Sequence, residues 1–389
     1  MIRFVFLLTM VSAIVIGGHT YLYRRLVRDI HPSPRMQRWG RRIIAGLAIL
    51  MVAGLPASRV LSPPWSTVVA YLAFGWMGFV ALFLVSLLGF DLLKLTRNLV
   101  GRALDRPMDP LRRRALARGA AAVTTLGASS AGAAAVVGAQ QTPTVNPIEV
   151  PVANLPTALE GFHIVQISDL HVGPTIGHQR VAEVVSIVNE LKPDLVALTG
   201  DFVDGSVPQL GAAMSLLGGL ESRHGSFFVT GNHEYYSGAN AWIEALEGWG
   251  IRVLRNTMDI ITHDGAELEL LGVDDWRAAR RVEGHGYDLD KAAAKRKTER
   301  TAVLLSHQPK AIDHAAKHEI DLVLSGHTHG GQIWPFNYVV ALVQPYVKGL
   351  HRHTERTWIY VHSGTGYWGP PLRLGVPSEI ASIRLTSAD

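Results

Sequence analysis

After residue 160, five short apolar runs are each followed directly by a small group of Asp, Asn and His residues. In chain order, the groups are Ser168-Asp169-Leu170-His171, Thr199-Gly200-Asp201, Thr230-Gly231-Asn232-His233-Glu234, Ser306-His307 and Ser325-Gly326-His327-Thr328-His329. One such group is usually an ordinary polar turn, but five in succession restrict how the chain can fold. Loops that follow neighbouring parallel strands lie at the same edge of a sheet. The pattern therefore predicts that the five groups meet in one site.

Strand and helix patterns alternate around these groups. The predicted strands are Phe162–Ile167, Leu195–Leu198, Ser226–Val229, Ala302–Leu305, Leu322–Leu324, Thr357–Val361 and Ile380–Leu385, and the predicted helices lie near His178–Leu191, Pro208–Leu220, Ala239–Trp249 and His314–Lys317. Residues 252–272 contain further short strands, and residues 277–300 are polar and partly helical. This alternation predicts an α/β fold. The later run of strands favours a mixed sandwich of two sheets.

The residue types in the five groups indicate metal chemistry. The chain has 17 histidines and no cysteine, which excludes thiolate zinc sites, disulfides and cysteine nucleophiles. Carboxylate, imidazole and amide oxygen ligands suit Mn, Fe or Zn. Seven such ligand side chains exceed what one ion needs. Two divalent metal ions are therefore expected, with a carboxylate bridging them.

These motifs resemble those of the calcineurin-like metallophosphoesterase superfamily, whose pattern is DxH, GD, GNH(E/D), H and GHxH. The resemblance covers about residues 155–386 and implies a four-layer α/β/β/α sandwich. The extension Gly330-Gly331-Gln332 and the motif residues between Ser363 and Arg373 look like the membrane-associated bacterial phosphodiesterase branch. The implied activity is hydrolysis of a phosphodiester by a hydroxide that bridges two metal ions.

The resemblance also implies a role for each motif residue. The metal ligands would be Asp169, His171 and His329 for the first ion, Asn232, His307 and His327 for the second, and Asp201 as the bridge. His233 would not be a ligand but would donate a proton to the leaving oxygen, as a general acid.

Residues near the motifs are weaker candidates. Asp204 or Glu234 could orient His233, although a solvated loop carboxylate is the favoured interpretation of each. Candidates for a supporting layer or for substrate contact are Asp274, Asp275, His351, His353, Trp334, Phe336, Tyr338, Trp368 and Arg373. For the two loop histidines simple exposure is favoured, and for the aromatic residues packing is an equal alternative.

The first 140 residues are predicted to be a membrane region with about four transmembrane helices. The apolar segments are Phe4–Tyr23, Ile43–Leu55, Trp65–Phe90 and Gly119–Ala139, against roughly 20 residues per span. Residues 141–155, with three prolines, are predicted to be an extended linker. The catalytic domain is then 156–389.

Positive residues orient this region. Seven arginines lie in 24–42, and Lys94 with seven arginines lies in 94–118, whereas Arg59 alone separates the second and third segments. Because positive loops stay in the cytoplasm, the catalytic domain is predicted to lie outside the cytoplasmic membrane. Arg113-Arg114 before the fourth segment also fits a twin-arginine-type export signal, which gives the same orientation. A peripheral fourth helix would instead leave the domain in the cytoplasm.

Charge and the predicted membrane location limit which substrates and partners are expected. The net charge is only +5 and the arginines flank apolar segments, so no nucleic acid partner is expected. A domain tethered to a bilayer favours a lipid- or envelope-linked phosphoester. The alternatives are a UDP-2,3-diacylglucosamine pyrophosphatase-type lipid A enzyme, whose substrate is cytoplasmic, and a non-catalytic membrane scaffold.

Overall fold

The computed structural model describes residues 2–30, 33–103 and 110–388. The chain divides into two compact units, one of residues 1–137 with 369–372 and the other of residues 138–368 with 373–389. Residues 104–109, part of the predicted cytoplasmic loop after the third apolar segment, lie outside the described residues.

The first unit is helical. Its helices are α1 (Ile2–Leu26), α2 (Pro34–Val60), α3 (Trp65–Ala103) and α4 (Pro110–Gln140), and each contains one predicted apolar segment. Among the described residues, Pro34–Val60, Trp65–Arg97 and Ala115–Gln140 are long and apolar enough to cross a membrane, by length and composition. The prediction of membrane helices is therefore confirmed for these three. A fourth span formed by α1 stays a prediction.

Polar pairs join α1 to α3 inside this unit. Trp76 Nε1 donates to His19 Nε2 at 3.0 Å, and the Tyr21 hydroxyl donates to Asp91 at 2.7 Å. Arg25 also pairs with Asp91. Polar groups in an apolar surrounding are stabilised when they find partners of this kind.

The second unit contains two six-stranded sheets. The strands are β1 (Thr144–Val152), β2 (His163–Ile167), β3 (Leu195–Leu198), β4 (Ser226–Phe228), β5 (Arg252–Val253), β6 (Thr257–His263), β7 (Ala266–Gly272), β8 (Thr301–Leu305), β9 (Leu322–Ser325), β10 (Gly349–Arg352), β11 (Trp358–Val361) and β12 (Glu379–Ser387). The first sheet has the order β1-β12-β2-β3-β4-β5 and the second β10-β11-β9-β8-β7-β6. Strands β2 to β5 are parallel neighbours, as are β7, β8, β9 and β11.

Helices cover the outer faces of both sheets. On the first sheet these are α5 (His178–Leu191), α6 (Val207–Met214) and α8 (Ala239–Gly248), and on the second α9 (Leu289–Ala293) and α10 (Ile312–Lys317). Two further short helices, α7 (Asn232–Ser237) and α11 (Asn337–Val340), lie in the loops after β4 and β9. The predicted helix near Pro208–Leu220 is split, because α6 ends at Met214 and a 3₁₀ helix, Ser215–Gly219, follows it.

Three apolar layers show the order of the sandwich. Between the sheets pack Ile164, Leu195 and Phe227 from the first and Leu270, Val303 and Leu322 from the second. On the outer face of the first sheet, Val165 and Val196 pack with Val184 of α5 and Trp242 of α8. On the outer face of the second, Leu304 and Val323 pack with Leu289 of α9 and Ile312 of α10. Because successive strand residues face opposite ways, strands buried on both sides read as continuous apolar runs. The predicted α/β sandwich is confirmed.

The segment 141–155 is not a free linker. Nine of its residues form β1, which pairs in parallel with β12 at the edge of the first sheet. Val150 and Val152 are buried in the layer between the sheets. Prolines are tolerated on an edge strand, so Pro147 and Pro151 do not prevent pairing. The prediction of a tether is wrong here because burial of alternate apolar side chains favours a strand.

Candidate metal centre

The five polar groups meet at the carboxyl ends of strands from both sheets. Parallel neighbours β2, β3 and β4 end beside one another in the first sheet, and β8 and β9 do so in the second. The site is therefore built at the adjoining edges of two sheets. Residues 158 positions apart, such as His171 and His329, come into direct contact.

One cluster joins the first and last groups. Asp169, His171 and His329 are buried and offer ligand atoms within 4.8 Å of one another. The Nε2 atoms of His171 and His329 are 3.0 Å apart, and His329 Nε2 lies 3.3 Å from Asp169 Oδ1. These are the three residues predicted for the first ion.

A second cluster contains Asp201, His307 and His327, again within 4.8 Å. His307 Nε2 lies 3.0 Å from Asp201 Oδ2 and 3.2 Å from His327 Nδ1. Within the described part of the chain, the buried Asn232 Oδ1 has no hydrogen-bond partner. A buried amide oxygen without a partner costs about 1–3 kcal/mol, a penalty that a bound cation would remove.

The donor set fits a pair of divalent cations. It combines imidazole nitrogen, carboxylate oxygen and amide oxygen, the ligands typical of Mn, Fe and Zn sites without thiolate. His329 Nδ1 and Asn232 Oδ1 are buried without hydrogen bonds from the described residues. The convergence of lone pairs in a dry site is unfavourable unless protons or cations lie between them.

The backbone at these residues is unusual. Asp169, His171, Asp201, His327 and His329 all have positive φ, between 51° and 71°. This left-handed conformation is uncommon for residues with a side chain and tends to occur at functional sites. It turns the chain sharply after each strand, so that consecutive ligand candidates face the same space.

Two motif glycines make room for the carboxylates. A Cβ on Gly326 would overlap Ser168 and Asp169, and a Cβ on Gly231 would overlap Asp201. Glycine is therefore required where backbone passes directly against a buried side chain. This explains why a glycine precedes Asn232 and His327.

Hydrogen bonds behind the clusters fix the side chains. His307 Nδ1 donates to the Thr199 carbonyl at 2.8 Å, which directs Nε2 into the site. Asp169 accepts from the His327 backbone N–H at 3.0 Å, and Asp201 Oδ1 accepts from that of His233 at 2.8 Å. The carboxylates are thus oriented before any cation binds.

Glu234 is not a solvated loop carboxylate. It is buried, and its two oxygens accept hydrogen bonds from the backbone N–H groups of Asp201, Phe202 and Gly231 at 2.7–3.0 Å. Glu234 is also the third residue of α7, the position from which a glutamate caps the start of a helix. Its role is to hold two loops together. The sequence signal, a Glu two residues after Asn232, was present but ambiguous.

Asp204 orients imidazoles. Its Oδ1 contacts His233 Nδ1, and its Oδ2 lies 3.3 Å from His171 Nδ1. The favoured interpretation of a solvated carboxylate is therefore wrong for Asp204 as well. His233 Nε2 then lies 3.9 Å from Asp201 Oδ2, at the side of the second cluster.

The four histidines His233, His307, His327 and His329 differ in pKa. Burial lowers the pKa of His233, but the Asp201 and Asp204 carboxylates outweigh it and raise that pKa to about 9. Burial also lowers the pKa of His307, but the Asp201 carboxylate outweighs this effect and raises that pKa to about 10. Burial lowers the pKa of His327 to about 3 and of His329 to about 4. The last two are neutral, as metal ligands must be, and a cation at His307 would displace a proton.

Other candidates lie away from the clusters. Asp274 makes a two-pronged ion pair with Arg255, whereas Asp275 accepts from Gln308, the residue after His307. Asp275 therefore supports the His307 loop, and Asp274 does not. His351 and His353 pack around Tyr346.

Arg373, a candidate for substrate contact in the sequence, has a structural role instead. The guanidinium is buried and donates to the carbonyls of Ser363, Gly364, Gly366, Val376 and Pro377. All of its donors serve backbone of the C-terminal loop. An arginine in a motif-like stretch is therefore structural here, because a buried loop needs its carbonyls satisfied.

Two aromatic side chains border His233. The Trp368 ring centroid lies 6.3 Å and the Tyr236 centroid 5.1 Å from that of His233. Both side chains are exposed. Trp368 was a predicted candidate, whereas Tyr236 was missed. Its spacing of three residues after His233 on a helix was the available signal. Trp334, Phe336 and Tyr338 are exposed and do not pack into the core.

Comparisons with known proteins show which sequences and structures this chain is similar to. The model of the family described as calcineurin-like phosphoesterase matches residues 162–331. A Danio rerio protein named "Transmembrane protein with metallophosphoesterase domain" is 36% identical over 98% of this chain and 89% of its own length. A Helicobacter pylori "Uncharacterized metallophosphoesterase" is 43% identical over 57% of this chain and 59% of its own length. Among solved structures, a dimetal phosphatase from Danio rerio aligns at TM-score 0.38 and 13% identity, over 58% of this chain and 93% of that chain.

Replacing Glu234 tests the joint between the loops. Glu234→Ala should leave three buried N–H groups unsatisfied, each worth about 1–3 kcal/mol, and should lower both the free energy of unfolding and the bound metal. Glu234→Gln, which keeps one acceptor oxygen, should give values of both quantities between those of the wild type and Glu234→Ala. Pulse proteolysis and elemental analysis of the full chain in detergent measure both quantities. The exposed Glu244→Ala is the control, and equal effects of Glu234→Ala and Glu244→Ala would contradict the assigned role.

Proposed function

The chain belongs to the calcineurin-like phosphoesterase family, and we propose that it hydrolyses phosphodiesters with two divalent cations. The observation that supports this proposal most directly is the pair of ligand clusters, with a protonated imidazole held at their side. The membrane-spanning Danio rerio relative, aligned over nearly the whole chain, supports a membrane-bound enzyme of this class.

In this proposal the two clusters each hold one cation. Asp169, His171 and His329 would bind the first, Asn232, His307 and His327 the second, and Asp201 would bridge them. When bound, the cations would activate a water molecule and neutralise charge on the phosphoryl oxygens. The chain itself supplies rigid placement, because its ligand carboxylates already accept backbone hydrogen bonds.

His233 would act as the general acid. Asp204 holds Nδ1, and in the protein alone the Asp201 and Asp204 carboxylates raise the pKa of the ring to about 9, which favours the protonated form that this role needs. Nε2 is the atom directed to the second cluster, and it would donate its proton to the leaving oxygen. Such a donor typically contributes about 10²–10⁴-fold to the rate.

The bordering aromatic residues suit a bulky organic leaving group. Tyr236 and Trp368 are exposed and lie close to His233, where the organic group on the leaving oxygen would be held in this proposal. Because the chain also carries membrane helices, we propose lipid- or envelope-linked phosphodiesters as substrates, as in the membrane-associated bacterial branch that the motifs resemble.

Metal stoichiometry and turnover test the proposed centre together. The full chain in detergent should bind about two Mn²⁺ and hydrolyse bis-p-nitrophenyl phosphate. His327→Ala and His329→Ala should each retain about one ion, because they belong to different clusters, and the double variant should bind neither. Turnover should fall at least about 100-fold in each. Turnover that survives Asp201→Ala would contradict the mechanism, and a chain that binds metal without turnover would indicate the scaffold alternative.

The proton-donor role predicts a dependence on the leaving group. His233→Ala should retain both ions and should slow alkyl or phenyl esters by about 10²–10⁴-fold. It should slow p-nitrophenyl esters least, because p-nitrophenolate leaves without a proton. Rates for a series of phosphodiesters of graded leaving-group pKa give this slope, and His351→Ala is the matched control. A uniform loss across the series would exclude the acid role.

Orientation separates the phosphodiesterase proposal from the lipid A alternative. Alkaline phosphatase fused after Asp389 should be active in a Gram-negative host, since the enzyme folds only outside the cytoplasm. A fusion after Arg28, in the predicted cytoplasmic loop, is the inactive control. The reverse result would place the domain beside cytoplasmic UDP-linked lipids and would overturn the extracytoplasmic proposal.

A further inference from the structure

An uncharged segment follows the last metal-binding motif. No charged residue or histidine occurs from Gln332 to Val347. Within it, residues 333–343, called here the apolar loop, expose Trp334 by 58%, Phe336 by 53%, Tyr338 by 65%, Leu342 by 83% and Val343 by 65%. These five side chains fall within a stretch of ten residues, which includes the short helix α11 (Asn337–Val340).

Such a surface is unfavourable in water. Scattered apolar residues are normal on soluble proteins, but a contiguous apolar patch usually marks an interaction surface. Trp and Tyr suit a membrane interface in particular, because their rings are apolar and their N–H and O–H groups remain hydrated. The loop combines both ring types with aliphatic side chains and no charge, so its insertion would bury apolar surface without removing a charge from water.

The chain itself points to a lipid surface as the partner. The membrane-capable segment Ala115–Gln140 ends only three residues before β1 begins at Thr144. Three extended residues span at most about 10 Å, so the second unit begins close to any bilayer that this helix enters. The first charge after the apolar loop is the exposed Lys348, which complements anionic headgroups.

Both ends of the loop are fixed to the candidate metal centre. Gln332 and Trp368 exchange two hydrogen bonds, at 2.8 and 3.0 Å, and the Trp334 N–H donates to Leu374 at 3.0 Å. At the other end, the Thr328 hydroxyl, between His327 and His329, donates to Val347 at 2.6 Å. The exposed tip is therefore carried on a framework that includes the motif itself.

We propose that the apolar loop inserts into the headgroup region of a lipid bilayer. Leu342 and Val343, at its most exposed part, would lie deepest, with Trp334 and Tyr338 at the interface. Insertion would place the opening of the metal centre at the lipid surface. The proposal concerns a binding surface and does not depend on hydrolysis.

The absence of native cysteine allows a direct test. Two single variants of the full chain, Leu342→Cys and Tyr338→Cys, are each labelled with the environment-sensitive fluorophore NBD. Each is reconstituted as one molecule per phosphatidylcholine–phosphatidylglycerol nanodisc, with or without nitroxide-labelled lipid. Ile260→Cys is the control, because Ile260 is also an exposed apolar residue of the second unit. Both substituted side chains are exposed, so neither change opens the core.

The proposal predicts blue-shifted emission and loss of most fluorescence to nitroxide lipid at positions 342 and 338, with neither effect at 260. Emission and quenching equal to those of Ile260→Cys would overturn it, since the loop would then lie in water. Blue-shifted emission without lipid quenching would also overturn it, because protein, from the same chain or from a second copy, would then cover the loop.

Discussion

Inside the second unit, the buried Glu234 carboxylate accepts the backbone N–H groups of Asp201, Phe202 and Gly231, and so joins the loops after β3 and β4. Asp201 in turn accepts the N–H of His233. The position of the proposed bridging carboxylate, of the amide of Asn232 and of the proposed proton donor all follow from this one set of hydrogen bonds. A carboxylate is suited to it because two oxygens satisfy three donors at close range.

Charge balance explains the composition of the centre. Asp169 and Asp201 are buried and Asp204 is partly buried beside them, a costly arrangement unless positive charge is close. The raised pKa values of His233 and His307 show that protons supply part of that charge in the protein alone. Two divalent cations would supply more, and their binding energy would then add to the stability of the folded domain. Metal binding and folding of the domain would therefore be thermodynamically coupled.

The sequence predicted the features that depend on local pattern. Apolar runs such as Leu195–Leu198 predicted strands, and the polar groups after them predicted which loops meet. It could not predict features set by distant pairing. β1 is a strand only because β12, at the other end of the domain, pairs with it. Arg373 and Glu234 carry the same charges as functional residues, and only their buried backbone partners identify them as structural. The left-handed conformation of the ligand candidates likewise depends on tertiary contacts, because Asp and His tolerate it better than most residues but do not require it.

The pairing of β1 with β12 has a consequence for biosynthesis. Thr144 pairs with Glu379, so the first strand after the membrane region depends on the last strand of the chain, and β12 also separates β1 from β2. Ribosomes deliver these partners far apart in time, and contacts of such large sequence separation form slowly. The first sheet can be completed only after Glu379–Ser387 has been synthesised, when the membrane helices have already been made. A nascent chain that has not yet reached β12 therefore holds an incomplete first sheet, which β12 completes by pairing with both β1 and β2.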